Sequence, residues 1–520
     1  LIILASGEAQ AQPDQLSEQK LQTFFRYIEM AYVDSINAPK LVETAIKSIL
    51  KELDPHSTYI PAEELRRMNE PLEGKFEGIG IQFNILRDTI VVVSPIAGGP
   101  SELLGIRSGD RIIKIDTQTV AGVGFTNQDV FERLRGKKGT QVNVSIKRGN
   151  TEDLIEFNIT RDKIPIYSVD ASYMLDKSTG YIKLNRFAAT SMEEIRMGLD
   201  KLQSNGMQNL VLDLRGNSGG YLQTAIDLVD EFIAKDKLIV YTEGRAYAKD
   251  ETYSTDKGKF KKGKLVVLID EGSASASEIV SGAVQDWDRG LIIGRRSFGK
   301  GLVQRPFNLP DGSAMRLTVS RYFTPSGRCI QRPYEGGDES YYKDLQERYS
   351  HGELVHPDSI KFPDSLIYST KIRQRKVYGG GGIMPDIFIP LDTTRGSEYY
   401  SKLIRKGVLN DFVLDYTQQN KRDLLDKYSE INSFKTGFDV EKECKEKLIA
   451  YAKKQEIEFD ETQYEKSSSL IHSSLKGLIA RSLWEPGAFY EIINLDDPAI
   501  LKALESINDK TFQKLKLVYN

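Results

Sequence analysis

Residues 265–278, Leu-Val-Val-Leu-Ile-Asp-Glu-Gly-Ser-Ala-Ser-Ala-Ser-Glu, decide how this chain is read. The first five are apolar without a break, the pattern of a parallel strand covered on both faces. A short turn follows, and a helical pattern begins near Ser275. A serine on a tight strand-to-helix turn is exposed, and backbone N–H groups beside it are free to bind an oxyanion. A plainer reading fits the same residues. Ser275 with Glu278 three positions later is also a helix capping box.

Around this stretch, residues 164–390 alternate strand and helix signals, which predicts an α/β core. Strands are expected at 180–184, 209–214 and 291–293, and helices at 192–202 and 221–232. The 209–214 strand runs into Leu212-Asp213-Leu214-Arg215-Gly216-Asn217-Ser218-Gly219-Gly220. Paired glycines let backbone N–H groups approach one anion closely, and the helix that follows adds its positive end to the same field. A third segment is Arg295-Arg296-Ser297-Phe298-Gly299-Lys300-Gly301-Leu302-Val303-Gln304. If it is an extended strand, Lys300, Leu302 and Gln304 share a face. A lysine beside apolar groups can lose its proton and act as a base. Gly294 to Gly301 also matches the front of a phosphate-binding loop, but Gly301 stands where that loop needs Ser or Thr, and Leu-Val-Gln-Arg-Pro is poor material for its helix.

Composition limits the alternatives. The 520 residues suggest several domains, and 71 Lys and Arg against 74 Asp and Glu argue against a dedicated nucleic-acid binder. Two cysteines, Cys329 and Cys444, are too few for a disulfide framework or a cysteine-rich zinc site, and they are expected as free thiols. The four histidines, at positions 56, 351, 356 and 472, are too scattered for a multi-histidine metal site. No metal or cofactor is expected. A Ser–His–Asp enzyme would have only His56 near the other signals, whereas a Ser–Lys pair needs no histidine.

The rest of the chain divides as follows. Residues 1–12 are expected to be the remnant of an export signal, with Ala9-Gln10-Ala11 as a small-x-small cleavage site, which would place the protein in the periplasm or cell envelope of a bacterium. Residues 13–75 are helical, with Leu21, Phe24, Phe25, Ile28 and Tyr32 on one stripe and Leu41, Ala45, Ile49 and Leu53 on the next. Leu53-Asp54-Pro55-His56-Ser57 breaks the pattern. Residues 76–162 form a compact β-rich module with a helix over 127–134, for which Asn127 is the expected cap. The α/β core spans 163–396 and carries a polar, Tyr-rich excursion at 335–378. Residues 397–520 are helical throughout, with apolar stripes expected to pack as core.

Taken together, Gly272-Ser273-Ala274-Ser275-Ala276-Ser277-Glu278-Ile279 and Phe298-Gly299-Lys300-Gly301-Leu302-Val303-Gln304 resemble the carboxy-terminal processing (tail-specific) proteases, Ser–Lys peptidases of family S41. Four further segments agree: Leu53 to Ser57, the 76–162 module as a PDZ domain, Asp213 to Gly220, and the pair Tyr322-Phe323-Thr324-Pro325-Ser326-Gly327-Arg328 and Gly382-Ile383-Met384-Pro385-Asp386. The resemblance covers about residues 20–390. It implies an α/β serine-peptidase core with an inserted PDZ-like domain and helical segments at both ends. It implies Ser275 as nucleophile, Lys300 as general base and Gln304 as the residue that aligns the lysine amine. It puts Asp286 in a supporting position, and the N–H groups of Ala276 and of Gly219 or Gly220 in an oxyanion hole. Gly78-Ile79-Gly80-Ile81 takes the place of the carboxylate-binding loop. The implied partners are protein or peptide substrates with free C-termini. Helical stripes at the two ends are candidates for homodimer contacts, and an adaptor or regulator is a further candidate partner. The alternative from another class is a non-catalytic scaffold that binds protein tails. Two departures from the family stand out: about fifty residues separate Arg328 from Gly382, and 397–520 lies outside the shared region.

Overall fold

The computed structural model describes residues 15–519 apart from 150, 152 and 336. The expected export-signal remnant lies outside the described residues. The chain divides into two units, residues up to 62 with 304–318, and 63–303 with 319 onward.

In the first unit, helix α1 (Gln15–Ala31) and helix α2 (Ala38–Lys51) follow the expected periodicity. Asn37 caps α2 by accepting the Lys40 N–H at 3.1 Å. The apolar stripes are not a core, however. Helix α1 buries no residue, and Leu21, Phe24, Tyr32, Leu41 and Ile49 are all exposed. The break at Pro55 is an Asp54-centred turn. Its carboxylate accepts the N–H groups of His56 and Ser57 at 2.8 and 3.0 Å and the Ser57 hydroxyl at 2.6 Å. Strand β1 (Thr58–Ile60) then pairs antiparallel with residues 314–316.

The second unit contains the β-rich module. Strands β2 (Ile81–Leu86), β3 (Thr89–Pro95), β4 (Arg111–Ile115), β5 (Gln141–Lys147) and β6 (Ile155–Thr160) follow one another in an antiparallel sheet, with β2 at its edge. Ile90, Val92, Ile112, Val144 and Ile159 alternate into its core, where they meet Val130 of helix α3 (Asn127–Leu134). The cap of α3 is Thr126 and not Asn127. The Thr126 hydroxyl accepts the Asp129 N–H, and the Asp129 carboxylate accepts the Thr126 N–H, so both ends of a capping box close one residue earlier than expected.

The α/β core is a second sheet: β7 (Val169–Met174), β8 (Thr179–Leu184), β9 (Asn209–Asp213), β10 (Leu265–Ile269), β11 (Leu291–Gly294) and β12 (Ile387–Phe388), in that spatial order. Strands β8 to β12 are parallel, and β7 runs antiparallel at the edge. Helices α4 (Ser191–Ser204), α5 (Leu222–Asp230) and α6 (Ala276–Asp286) cover one face, where Leu212, Val267 and Ile269 meet Leu199, Leu228 and Val280. The excursion is partly helical, with α7 over Gly337–Ser350.

Beyond 397, helices α8 (Val408–Lys427) and α9 (Glu461–Leu483) bury Val408, Phe412, Val413, Ile471, Leu475 and Ile479 in a core of their own, as the stripes predict. The last segment behaves differently. Helices α10 (Pro498–Asn508) and α11 (Thr511–Lys514) lie on the other face of the core sheet, where Ile500, Ala503, Ile507 and Phe512 cover Val211, Val266, Leu268 and Ile293. The alternate residues of β10 therefore face two different layers, and all five are fully buried. Burial of each such side chain contributes about 1.5–3 kcal/mol. The second layer comes from the far end of the chain, so the α/β core includes residues beyond 396.

Candidate active site

The carboxyl ends of the parallel strands carry the three segments singled out in the sequence. After β10 the chain turns through Asp270–Ala274 and enters α6. Ser275, immediately before the helix, has φ +55° and ψ −110°. This is an uncommon conformation for a residue with a side chain, of the kind that holds a serine out of a strand-to-helix elbow. The start of α6 leaves the Ala276 N–H without an intrahelical acceptor.

The loop after β9 lies against this elbow. The Asn217 carbonyl accepts the Ala274 N–H at 3.0 Å and the Ser277 hydroxyl at 2.8 Å, and the Leu214 carbonyl accepts the Ser273 hydroxyl at 2.8 Å. Gly219 is demanded by this approach, because a Cβ there would stand 2.9 Å from the Ser275 Cβ and from the Ala274 carbonyl oxygen. At Gly220 a Cβ would collide with the Phe187 carbonyl oxygen at 2.1 Å. The two N–H groups differ. That of Gly219 donates to Asn217 Oδ1 at 2.9 Å. The bridge to Phe187 uses the Gly219 carbonyl and the Tyr221 N–H, so that of Gly220 has no acceptor among the described residues.

Lys300 does not lie in a strand, contrary to the expected face shared with Leu302 and Gln304; the strand starts at Leu302, and Lys300 sits in the loop before it. This loop is held by the Ser273 carbonyl, which accepts the Phe298 N–H at 3.0 Å, by Gln331 Oε1, which accepts the Gly301 N–H at 2.8 Å, and at most points by Glu278. Its carboxylate, fully buried, accepts the Ser275 N–H at 2.8 Å, the Lys300 N–H at 2.9 Å, the Gly299 N–H at 2.7 Å and the Ser297 hydroxyl at 2.5 Å. The capping box is thus present, and it does more than cap: one carboxylate grips the elbow and the lysine loop together. Tyr322 joins the same two segments from the other side, its hydroxyl lying 2.7 Å from the Lys300 carbonyl oxygen and 3.1 Å from that of Ser275. Burial pushes the Glu278 carboxyl up to about 7, although its four donors pull the other way. Burial also raises the Tyr322 phenol well above its usual range.

The other expected positions fall as follows. Asp286, at the far end of α6, pairs with Arg328 at 2.8 Å, both side chains fully buried, and accepts the Ser326 N–H at 2.9 Å. In the first unit, the Gln304 side-chain amide donates to the His56 carbonyl. In the β-rich module, the Ile79 carbonyl accepts the Ser101 N–H and hydroxyl, and the Gly80 carbonyl accepts the Ile96 N–H. In a trans peptide the C=O and N–H point in opposite directions. Holding those carbonyls therefore turns the N–H groups of Gly80 and Ile81 outward, beside the edge of β2 that pairs with no strand among the described residues. The Phe83 ring on β2 meets the Phe131 ring on α3 at 5.5 Å.

Sequence reasoning missed the second half of the Glu278 grip, the role of Tyr322 and the charge cluster behind the glycine loop. There Asp213, fully buried, is held by Arg215 at 2.7 Å and Lys183 at 3.3 Å. Burial opposes its ionisation, but the two cations outweigh that and hold its carboxyl well below the usual carboxylate range. The only signal for Glu278 was its spacing from Ser275. Nothing local links it to Lys300, 22 positions on.

Comparison with known proteins agrees with this architecture. The profile of peptidase family S41 matches residues 178–336, that of the PDZ domain matches 78–159, and a family of unknown function matches 399–485. The chain is similar to the carboxy-terminal processing protease CtpB of Bacillus subtilis, 31% identical over 425 residues that cover 81% of this chain and 85% of that protein. It is 38% identical to a carboxy-terminal-processing protease of Bartonella bacilliformis over 59% of this chain and 71% of that one. Among solved structures, the photosystem II D1 C-terminal processing protease is similar at 29% identity, with a TM-score of 0.35, over 61% of this chain and 90% of its own. The Bacillus and Bartonella relatives are both proteases, which favours an enzyme over a non-catalytic scaffold. The chain belongs to the carboxy-terminal processing proteases, PDZ-bearing serine peptidases of family S41.

Proposed function

We propose that this peptidase takes the C-terminal tails of proteins in its PDZ module and hydrolyses them with Ser275 as nucleophile and Lys300 as general base. The neutral Lys300 amine takes the Ser275 hydroxyl proton as Oγ attacks the scissile carbonyl. The lysine then gives that proton to the departing amine as the C–N bond breaks. Water, losing a proton to Lys300, attacks the acyl-enzyme, and the Ser275 hydroxyl is restored as the ester bond breaks. The N–H groups of Ala276 and Gly220 are the donors proposed for the oxyanion. Gly219 is the poorer choice because its N–H is already used. Each such donor stabilises the oxyanion by about 3–4 kcal/mol, by analogy with other serine hydrolases.

The observation that carries this reading is the double grip of Glu278 and Tyr322 on the Ser275 and Lys300 backbones. Capping a helix needs no contact with a loop twenty residues away, whereas a two-residue catalytic pair needs its partners held in register. The role of Gln304 rests on the family resemblance alone, and Asp286 is proposed to support α6. Tail capture is supported by the outward N–H groups of Gly80 and Ile81, in the Gly78–Ile81 loop at the head of an open sheet edge, where a peptide can add as a strand with its carboxylate on that loop. The exposed apolar stripes of α1 and α2 support a homodimer. An envelope location and an adaptor or regulator remain part of the proposal.

The test is incubation with a denatured protein, wild type beside Ser275→Ala and Lys300→Arg. Both variants should fold and neither should cleave, since arginine cannot give up its proton. Full activity in Ser275→Ala would refute the assignment.

A further inference from the structure

We infer that Asp497, in the segment after α9, is a positioning residue for the oxyanion loop, so that the distant end of the chain takes part in setting the catalytic rate. This inference rests on the proposed role of residues 213–220. The Arg215 guanidinium is held at both ends. Its Nε and Nη2 donate to Asp213, at the end of its own strand, and its Nη1 donates to Asp497 Oδ2 at 2.8 Å, across 282 positions of sequence. Asp497 is itself fixed, because its Oδ1 accepts the Ala499 and Ile500 N–H groups at 2.9 and 3.0 Å and so caps α10. Helix α10 in turn is packed on the core sheet through Ile500, Ala503 and Ile507.

The contact matters because the other holds on Arg215 come from the core sheet itself, where Asp213 accepts its N–H at 2.9 Å and the Lys183 amine donates to its carbonyl. A cavity of about 390 Å³ opens beneath the loop, bordered by Lys183, Arg215, Gly216 and Asp270 on the core side and by Tyr490 and Asp497 on the other. With that space unfilled by side chains, the ion pair takes the place of packing. From Arg215 the restraint passes directly to the catalytic face. The next residue, Gly216, donates its N–H to Asp270 Oδ1 at 2.8 Å, and Asp270 opens the turn that carries Ser275. Two residues beyond Arg215, Asn217 holds both Gly219 and the elbow. The Asp213 contact is local to the loop and its own strand. The Asp497 contact is the one that ties the Arg215 side chain to the second layer.

Asparagine and serine both cap helices, so Asp497→Asn and Asp497→Ser keep α10 capped while removing the charge that holds Arg215. The full chain carrying either change should melt within a few degrees of the wild type. It should keep its KM for a peptide substrate and lose roughly two- to fivefold in kcat, the rate equivalent of a partly exposed ion pair. It should lose affinity for a peptide boronate, a mimic of the tetrahedral adduct, by the same factor. A purely structural role would not move boronate affinity apart from KM. A folded variant with wild-type kcat overturns the inference, and so does a fall in kcat with unchanged boronate affinity. Should Asp497→Asn fail to fold, Asp497→Ser decides by the same readouts. Activity in Ser275→Ala would bring down the site assignment instead, and the two failures are told apart by that control.

Discussion

Helix α6 carries a buried carboxylate near each end, and the two are satisfied in opposite ways. Asp286 at the C-terminal end meets a full positive charge, the Arg328 guanidinium, with neither side chain exposed. Glu278 in the first turn is gripped, among the described residues, by neutral donors: three backbone N–H groups and one hydroxyl. A buried ion pair holds two elements together at the cost of desolvating both charges. A carboxylate gripped by backbone N–H groups fixes main-chain positions to within a hydrogen bond, yet leaves its own charge uncompensated. The first arrangement suits a strut, and the second suits a site where the positions of Ser275 and Lys300 matter more than stability.

The largest effect expected from breaking this contrast is at the strut. Asp286→Ala leaves Arg328 buried and unpaired, and should cost about 3–5 kcal/mol of stability. Chemical denaturation measures the loss. The activity of the molecules that remain folded should change little. Loss of activity without loss of stability would erase the distinction between the two ends.

The pH dependence of stability comes next. The Glu278 carboxyl is raised by burial from 4.5 to about 7. The folded chain therefore binds this proton more tightly than the unfolded chain does. Its contribution is fully present below pH 4.5 and is lost as pH rises through about 7, a total of about 3 kcal/mol at 1.36 kcal/mol per unit. The stability of wild type minus that of Glu278→Gln should fall between about pH 5 and pH 8. A flat difference would show that the N-terminal carboxylate is no more perturbed than an ordinary one.

The same substitution tests function. A glutamine side chain in place of Glu278 would present an NH2 to one of the donors that the carboxylate now accepts, so the elbow and the lysine loop should drift apart. Misplacement on the scale of about 1 Å costs roughly a hundredfold in rate. Glu278→Gln should therefore lose about that factor in kcat with little change in KM, while gaining thermal stability at alkaline pH. Wild-type kcat in a folded Glu278→Gln would mean that the grip is only a helix cap.

How much of this was legible beforehand follows the range of each interaction. The strand 265–269 and the elbow after it were readable because an unbroken apolar run and a Gly/Ser turn are local signals. The Ser275–Glu278 spacing was readable for the same reason. The donors that Glu278 receives from 297–300 are not coded near it, and they appear only when two loops are brought together by strand order. The second cover of the core sheet was invisible for a related reason. The periodicity of 498–508 announces an amphipathic helix but not which surface it covers, and helices α8 and α9 bury one another instead. The stripes of α1 and α2 show the converse, since their apolar residues satisfy the pattern and still face outward. The alternation of Leu302 to Gln304 extends a strand back to Lys300 on paper. Gly299, with φ +91°, and Gly301 free the preceding residues for a loop, and the Glu278 carboxylate holds them there.

The smallest expected effect belongs to Tyr322. Its hydroxyl has one hydrogen and two carbonyls within reach, and the shorter distance, 2.7 Å to Lys300, against 3.1 Å to Ser275, marks the main bond. Tyr322→Phe removes that bond while keeping the ring, which is fully buried among core residues. A single hydrogen bond of this kind contributes about 1 kcal/mol. How that loss is distributed distinguishes two roles. If Tyr322 mainly holds the lysine loop against the elbow, kcat should fall about fivefold, because about 1 kcal/mol is close to that factor in rate. KM should then stay unchanged, while the labelling of Ser275 by a small fluorophosphonate slows in step with kcat. If the tyrosine is only core, the melting temperature should fall while kcat per folded molecule stays put.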